Sequence, residues 1–228
     1  MGGTASCAAA AEGAALFDPL LRRTPTSRRG RKSAVFRRAQ RAVITRATRT
    51  GLLDYSSVAA VDATGLETRH VSLYFRVRRG LAQTPTHRRR SWPKLTAVVH
   101  TGSHLIVGAV TGIGPTQDSP EFTPAMRQAA GLVPFDTVLA DAGYDAEHNH
   151  RLCRNELGIC ESVIALNPRN HGRRWPSTPY RRAMRQHFPR AQYHQRWQVE
   201  SVFSRHKRRL RSTLTTRRPA SQQRETIL

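Results

Sequence analysis

The sequence predicts an α/β fold: a mixed sheet with helices on its faces. Three observations lead there. Short β-branched runs alternate with stretches of helical period. Two of these runs, 58–61 and 137–140, are continuously apolar, as strands buried on both faces are. Each then ends in an acid followed by small residues, Asp62 before Ala63-Thr64-Gly65 and Asp141 before Ala142-Gly143.

Taken in order, residues 1–50 are an Ala/Gly-rich start leading into evenly spread arginines, read as a basic arm with a short helix possible over 34–48. A first strand covers 58–62 and a second 71–77, followed by a basic loop that contains Arg88, Arg89 and Arg90. Residues 95–100 and 104–111 flank Thr101-Gly102-Ser103 and read as a hairpin. Residues 115–121 read as loop, and 123–130 as a helix with Pro124 in its first turn. After the strand ending at Asp141, residues 147–157 read as a helix stopped by Gly158, and 162–166 as a strand. The Arg-, Pro- and His-rich segment from 167 to about 190 has no periodicity and reads as a long loop. A helix follows from Tyr193, then a polar tail that holds the start of one more.

Composition narrows the partner. The formal charge is +23, from 38 basic against 15 acidic residues, a field that attracts polyanions, with nucleic acid first among them. A membrane surface fits less well, because the arginines are not laid against a long apolar helical face. No apolar run approaches the ~20 residues of a membrane span, and the start of the chain lacks a leader's pattern. Cys7, Cys153 and Cys160 are scattered, which fits a reducing cytoplasm.

On a helix at about 100° per residue, Tyr193, Arg196, Glu200 and Lys207 point within roughly a 60° arc. Val199, Phe203 and Leu210 form an apolar stripe beside it, and Arg205, Arg208 and Arg209 a basic back. If the strands ending at Asp62 and Asp141 are parallel neighbours, their carboxylates stand roughly 5 Å apart. Open α/β sheets build their sites at that edge, where the helix can bring Glu200. Three acids repel one another unless a cation lies between them, and hard oxygen donors favour Mg²⁺ or Mn²⁺. Two such ions suit phosphodiester chemistry.

These residues carry a resemblance. VDATG at 61–65, LADAGYD at 139–145 and the Y-x2-R-x3-E-x6-K pattern at 193–207 resemble the DDE transposases of bacterial insertion sequences. The resemblance implies an RNase H-like fold, a five-stranded mixed sheet with one antiparallel strand, flanked by helices. It implies Asp62, Asp141 and Glu200 as the catalytic, metal-binding triad, with two Mg²⁺ or Mn²⁺ ions. Tyr193, Arg196 and Lys207 are implied to grip the DNA backbone. The implied activity is cleavage at transposon ends and strand transfer into target double-stranded DNA, by a homodimer on paired ends in the nucleoid-associated cytoplasm. On this reading residues 51–218 are the catalytic domain, with 167–192 a long basic loop and 219–228 a polar tail. Departures at both ends of the chain keep open a truncated copy that binds DNA without cutting it.

Other readings compete. Asp62 and Asp141 also suit turn or helix caps, and Glu200 an i, i+4 pair with Arg196. Asp145 reads as a helix cap. Trp92 and Trp197 suit base stacking or ordinary packing, and Arg88, Arg89 and Arg90 suit phosphate contacts or solvation. His148, His150, Cys153 and Cys160 have no standard zinc spacing. Charge alone also fits a ribosome-type RNA-binding protein, which leaves the spacing of the acids unexplained.

Overall fold

The structure, a computed structural model, describes residues 28–54, 56–68, 92–167, 175–216 and 218–227. The expected strand at 71–77 and the arginines at 88–90 lie outside them. The chain runs through helix α1 (Arg28–Arg49), strands β1 (Val58–Gly65), β2 (Glu67–Thr68), β3 (Trp92–His100) and β4 (Ile106–Gly114), and helix α2 (Ser119–Ala130). Strand β5 (Thr137–Ala140), helix α3 (Glu147–Arg151) and strand β6 (Glu161–Ile164) follow. Helices α4 (Pro179–Gln186), α5 (Arg190–Tyr193) and α6 (Trp197–Leu210), strand β7 (Thr213–Leu214) and helix α7 (Pro219–Ile227) complete it.

Five strands form the main sheet, in the order β4-β3-β1-β5-β6. β3 runs antiparallel to both β4 and β1, whereas β1, β5 and β6 are parallel. With helices on both faces, this is the expected RNase H-like architecture. Alternation along the strands divides the core in two. Val61, Val98, Val138 and Ala140 face a layer containing Ile44 of α1 and Phe122, Ala125 and Met126 of α2. Ala60, Leu95, Ala97, Val99 and Leu139 face Met184 of α4 and Val199, Val202 and Phe203 of α6. No helix of the described residues is long and apolar enough to cross a membrane.

Several segments differ from expectation, each for a local reason. The helix expected over 34–48 is longer, Arg28–Arg49, and Ile44 and Ala47 dock one face of its C-terminal half into the core. Gln40 adds to this, donating to the Ile106 carbonyl and accepting from Gln128. α2 begins at Ser119, ahead of the expected start, with Pro120 in the opening turn, where a missing N–H costs nothing. Within the expected loop at 167–192, α4 covers Pro179–Gln186 and buries only Met184. Its stripe is too narrow to show as periodicity. The expected helix at 147–157 is α-helical to Arg151 and then widens into a π turn over Leu152–Glu156. The tail forms α7, whose Glu225 accepts hydrogen bonds from the backbone and hydroxyls of Thr215 and Thr216.

Candidate active site

Pairing of β1 with β5 builds the site. Val61 is the register partner of Ala140 in this parallel pair, so Asp62 and Asp141 follow at neighbouring positions; β5 ends there, whereas β1, expected to end at Asp62, continues to Gly65 because β3 goes on pairing with it. Asp62 keeps its side chain on the α6 face, beside Ala60 and opposite Ala97. Its Oδ1 accepts from the Ala63 N–H at 2.8 Å. Asp141 ends its strand and folds its Oδ1 back onto the Gly143 N–H at 2.9 Å, capping a 3₁₀ turn over Ala142–Tyr144. The capping role and the site position therefore coincide in one residue.

Glu200 arrives on α6. Val199, Val202 and Phe203 seat this helix on the sheet, which turns Arg196 and Glu200 towards the edge. The Arg196 guanidinium donates to Asp62 Oδ2 at 3.1 Å and to Glu200 Oε1 at 2.7 Å. It thus bridges two of the three expected ligands. The i, i+4 pair foreseen between Arg196 and Glu200 exists, extended to an acid 134 residues distant. The apolar stripe ends early: Leu210 is exposed, because the helix has run past the strands it covers.

Burial pushes the Asp62 carboxyl up to about 6, with repulsion from Asp141 and Glu200 adding to it and Arg196 opposing. Burial also raises Asp141, and neighbouring Asp118 adds to the rise. Burial raises the Tyr193 phenol, which keeps it a donor at neutral pH. Tyr193 packs against Phe188 at 4.9 Å between ring centroids, under the Arg196 guanidinium.

A cavity of about 590 Å³ opens beside Asp62 and Glu200, walled also by Ser204, Lys207, Arg208 and Ser212. Lys207 thus shares one cleft with two of the acids. Arg208, expected on the helix's back, also reaches it. Trp197 is exposed at the start of α6. Asp141 does not line this cleft; it faces Asp118 instead. Asp145 is not a helix cap: its buried carboxylate takes a bidentate pair from Arg181 at 2.7 and 2.9 Å, which ties α4 to the turn after β5.

Fit to a metal rests on chemistry and on a stand-in. The donors are hard carboxylate oxygens, and a guanidinium already supplies positive charge between Asp62 and Glu200. Among the described residues, however, no three His, Cys, Asp or Glu side chains converge on one ion-sized point. Asp62, Asp141 and Glu200 share one edge of the sheet, and Arg196 bridges Asp62 and Glu200.

Sequence reasoning missed a second group at this edge. Lys94, Thr96, Glu121 and Tyr144 form a largely buried polar layer behind Asp141, with the partly exposed Asp118 at its rim. The available signal was Lys94 itself, a charge inside the otherwise buried run of β3.

The five-stranded mixed sheet flanked by helices is of the RNase H-like type. A family model described as a transposase DDE domain matches residues 56–228, and the chain belongs to that family. Comparison with curated proteins gave no match.

Proposed function

We propose that this chain is a transposase that cleaves DNA at the ends of a mobile element and transfers the freed strand into target DNA. What supports the reading is that Asp62 on β1 and Asp141 at the end of β5 follow at matching positions of a parallel strand pair, with Glu200 on the helix across them. Asp62, Asp141 and Glu200 would hold Mg²⁺ or Mn²⁺. When bound, the ions supply activation of a water or 3′-OH and stabilisation of the leaving oxygen.

The chain's own residues do the rest. Lys207 and Arg208, in the cleft beside Asp62 and Glu200, bind the phosphates flanking the scissile bond. Arg196, once released from the two carboxylates, reaches a phosphate oxygen with the bidentate geometry of its fork. Tyr193, packed and protonated, donates a hydrogen bond to the backbone. Trp197 offers a free face to a base. Arg88, Arg89 and Arg90 extend the phosphate contacts, and the net charge of +23 supplies the long-range attraction. Two chains act on paired ends, in the cytoplasm where the DNA lies.

The test is cleavage and strand transfer on duplexes carrying the element's own ends, with Mg²⁺ or Mn²⁺. Glu200→Ala is expected to lower cleavage about 10³-fold while keeping DNA affinity. Undiminished cleavage refutes the role of Glu200. A second reading, a remnant that binds DNA without cutting, draws support from the Arg196 bridge, which ties up two of the acids. Salt-dependent binding with no cleavage in either metal would favour it.

A further inference from the structure

On the face of the sheet away from the cleft lies a helix whose charges are all of one sign. Between Arg28 and Arg49, α1 carries nine basic residues and no acid. Its C-terminal half is fastened down. Ile44 and Ala47 are buried, and Gln40 donates to the Ile106 carbonyl and accepts from Gln128. At about 100° per residue, Gln40, Ile44 and Ala47 fall within roughly a 60° arc. Arg38, Arg41, Arg46 and Arg49 fall in a broader arc centred almost directly opposite, and all four are exposed. Docking of the inner row therefore fixes which way the arginines face.

These four, with Arg37 beside them, make no ion pair among the described residues. Elsewhere on the surface arginines do have acids, as in Arg127–Glu156 and Arg151–Glu147. Like charges three or four residues apart weaken a helix, and Arg37–Arg41, Arg38–Arg41 and Arg46–Arg49 are such pairs. A face that served solubility alone would mix both signs. An external polyanion relieves this repulsion.

The dimensions suit a duplex. From Arg38 to Arg49 the row rises about 16 Å, close to half a turn of DNA, and a duplex presents a phosphate charge about every 1.7 Å of its axis. A lipid surface suits it less. The buried row of α1 is spent on the core, and the exposed Val35 and Val43 stand more than two turns apart, so no continuous apolar face is left to insert. The helix packs in the layer with Val61, Val98 and Val138, whereas α6, which brings Lys207 and Arg208 to the cleft, packs in the layer with Ala60 and Leu139. One straight duplex cannot lie on both faces at once.

We propose that the outer face of α1 is a second binding surface for duplex DNA, so that one chain holds two DNA segments on opposite sides of its sheet. Arg38, Arg41, Arg46 and Arg49 bind phosphates there without reading base sequence. The proposal rests on the reading of the cleft as the first DNA site.

The experiment uses the full chain and a duplex of arbitrary sequence. Fluorescence anisotropy over a salt series gives the affinity, and capture of a labelled duplex by a second, immobilised one gives the bridging. The combined variant Arg38→Gln, Arg41→Gln, Arg46→Gln and Arg49→Gln, its fold checked by circular dichroism, should still bind one duplex. The slope of log affinity against log salt should fall by about 3, and capture about tenfold. Wild-type capture by this variant overturns the proposal, because bridging then comes from paired copies with one cleft each. Should the variant not fold, Arg38→Glu alone should lower capture several-fold, and wild-type capture there overturns the proposal equally. Wild-type preference for anionic vesicles over duplex, lost in the α1 variant, overturns it in favour of a lipid partner. Lys207→Gln with Arg208→Gln separates the two levels. This pair should also lose capture while keeping one duplex on α1. If it captures like wild type, the cleft reading falls and takes the two-segment assignment with it; if only the α1 variant behaves like wild type, the cleft reading stands alone.

Discussion

Two cations bracket the acidic edge, and they are held in opposite ways. Lys94 rises from the middle of a sheet, is almost wholly buried, and is surrounded by two carboxylates and two carbonyls. Arg196 sits where a 3₁₀ turn passes into α6, has a side chain 20% exposed, and bonds two carboxylates, one of them on the solvent side. Removal of Lys94 leaves Glu121, 13% exposed, without its cation and Asp118 partly open to water; removal of Arg196 leaves Asp62 unpaired but Glu200 free to turn to water. The comparison teaches that a charge pair acts as scaffold or as exchangeable counter-ion according to what its partners face when it is gone.

The largest expected effect breaks or confirms that contrast directly. Lys94→Met should cost about 3–5 kcal/mol in urea unfolding, as the loss of one partner of a buried pair does. Arg196→Met should cost less, because one of its two partners, Glu200, is exposed and can turn to water. Equal costs would erase the distinction.

The next effect concerns protons. Asp62 is raised to about 6 in the folded chain, so the native state binds more protons than the unfolded one between roughly pH 4 and 6. Stability without metal should therefore fall as pH rises through that window, and Asp62→Asn should flatten the slope. An ion must displace the same proton, so Mn²⁺ affinity should drop up to about tenfold per unit below pH 6. A titration flat from pH 5 to 8 would show that Asp62 is no ligand.

The smallest effect sharpens the role of Arg196. If its guanidinium competes with a metal for Asp62 and Glu200, Arg196→Gln should tighten Mn²⁺ binding a few-fold and weaken DNA binding in the same chain. A loss of metal affinity would make Arg196 a support for the ligands rather than a competitor.

Much of this was legible in the sequence because the relevant signals are local. Asp62 and Asp141 each close an apolar run, and Glu200 lies one turn beyond Arg196 on a helix with a clear buried face. The β3–β4 hairpin also announced itself through Thr101-Gly102-Ser103. What stayed hidden depends on contacts between distant segments. The pairing of Lys94 with Asp118 and Glu121 joins a strand to the entrance of a helix, and no spacing rule encodes it. The docking of α1 escaped notice because Gln40, a polar residue, sits in its inward row and is satisfied only by the Ile106 carbonyl and Gln128. The helix at Pro179–Gln186 was concealed by arginines, one of which, Arg181, turned out to be the partner of buried Asp145.

Strand order carries a consequence for how each molecule matures. In the β1-β3-β4 half, consecutive members of the sheet are neighbours, and β3 meets β4 through a short reversal. The β1–β5 junction closes only after the chain has travelled out through β4 and α2 and back. Loop-closure entropy makes such remote parallel pairings slow to form. Attraction to polyanions needs no such closure, since positive charge is present in every conformation. A newly made chain therefore carries its attraction to polyanions before it acquires the pair of neighbouring aspartates.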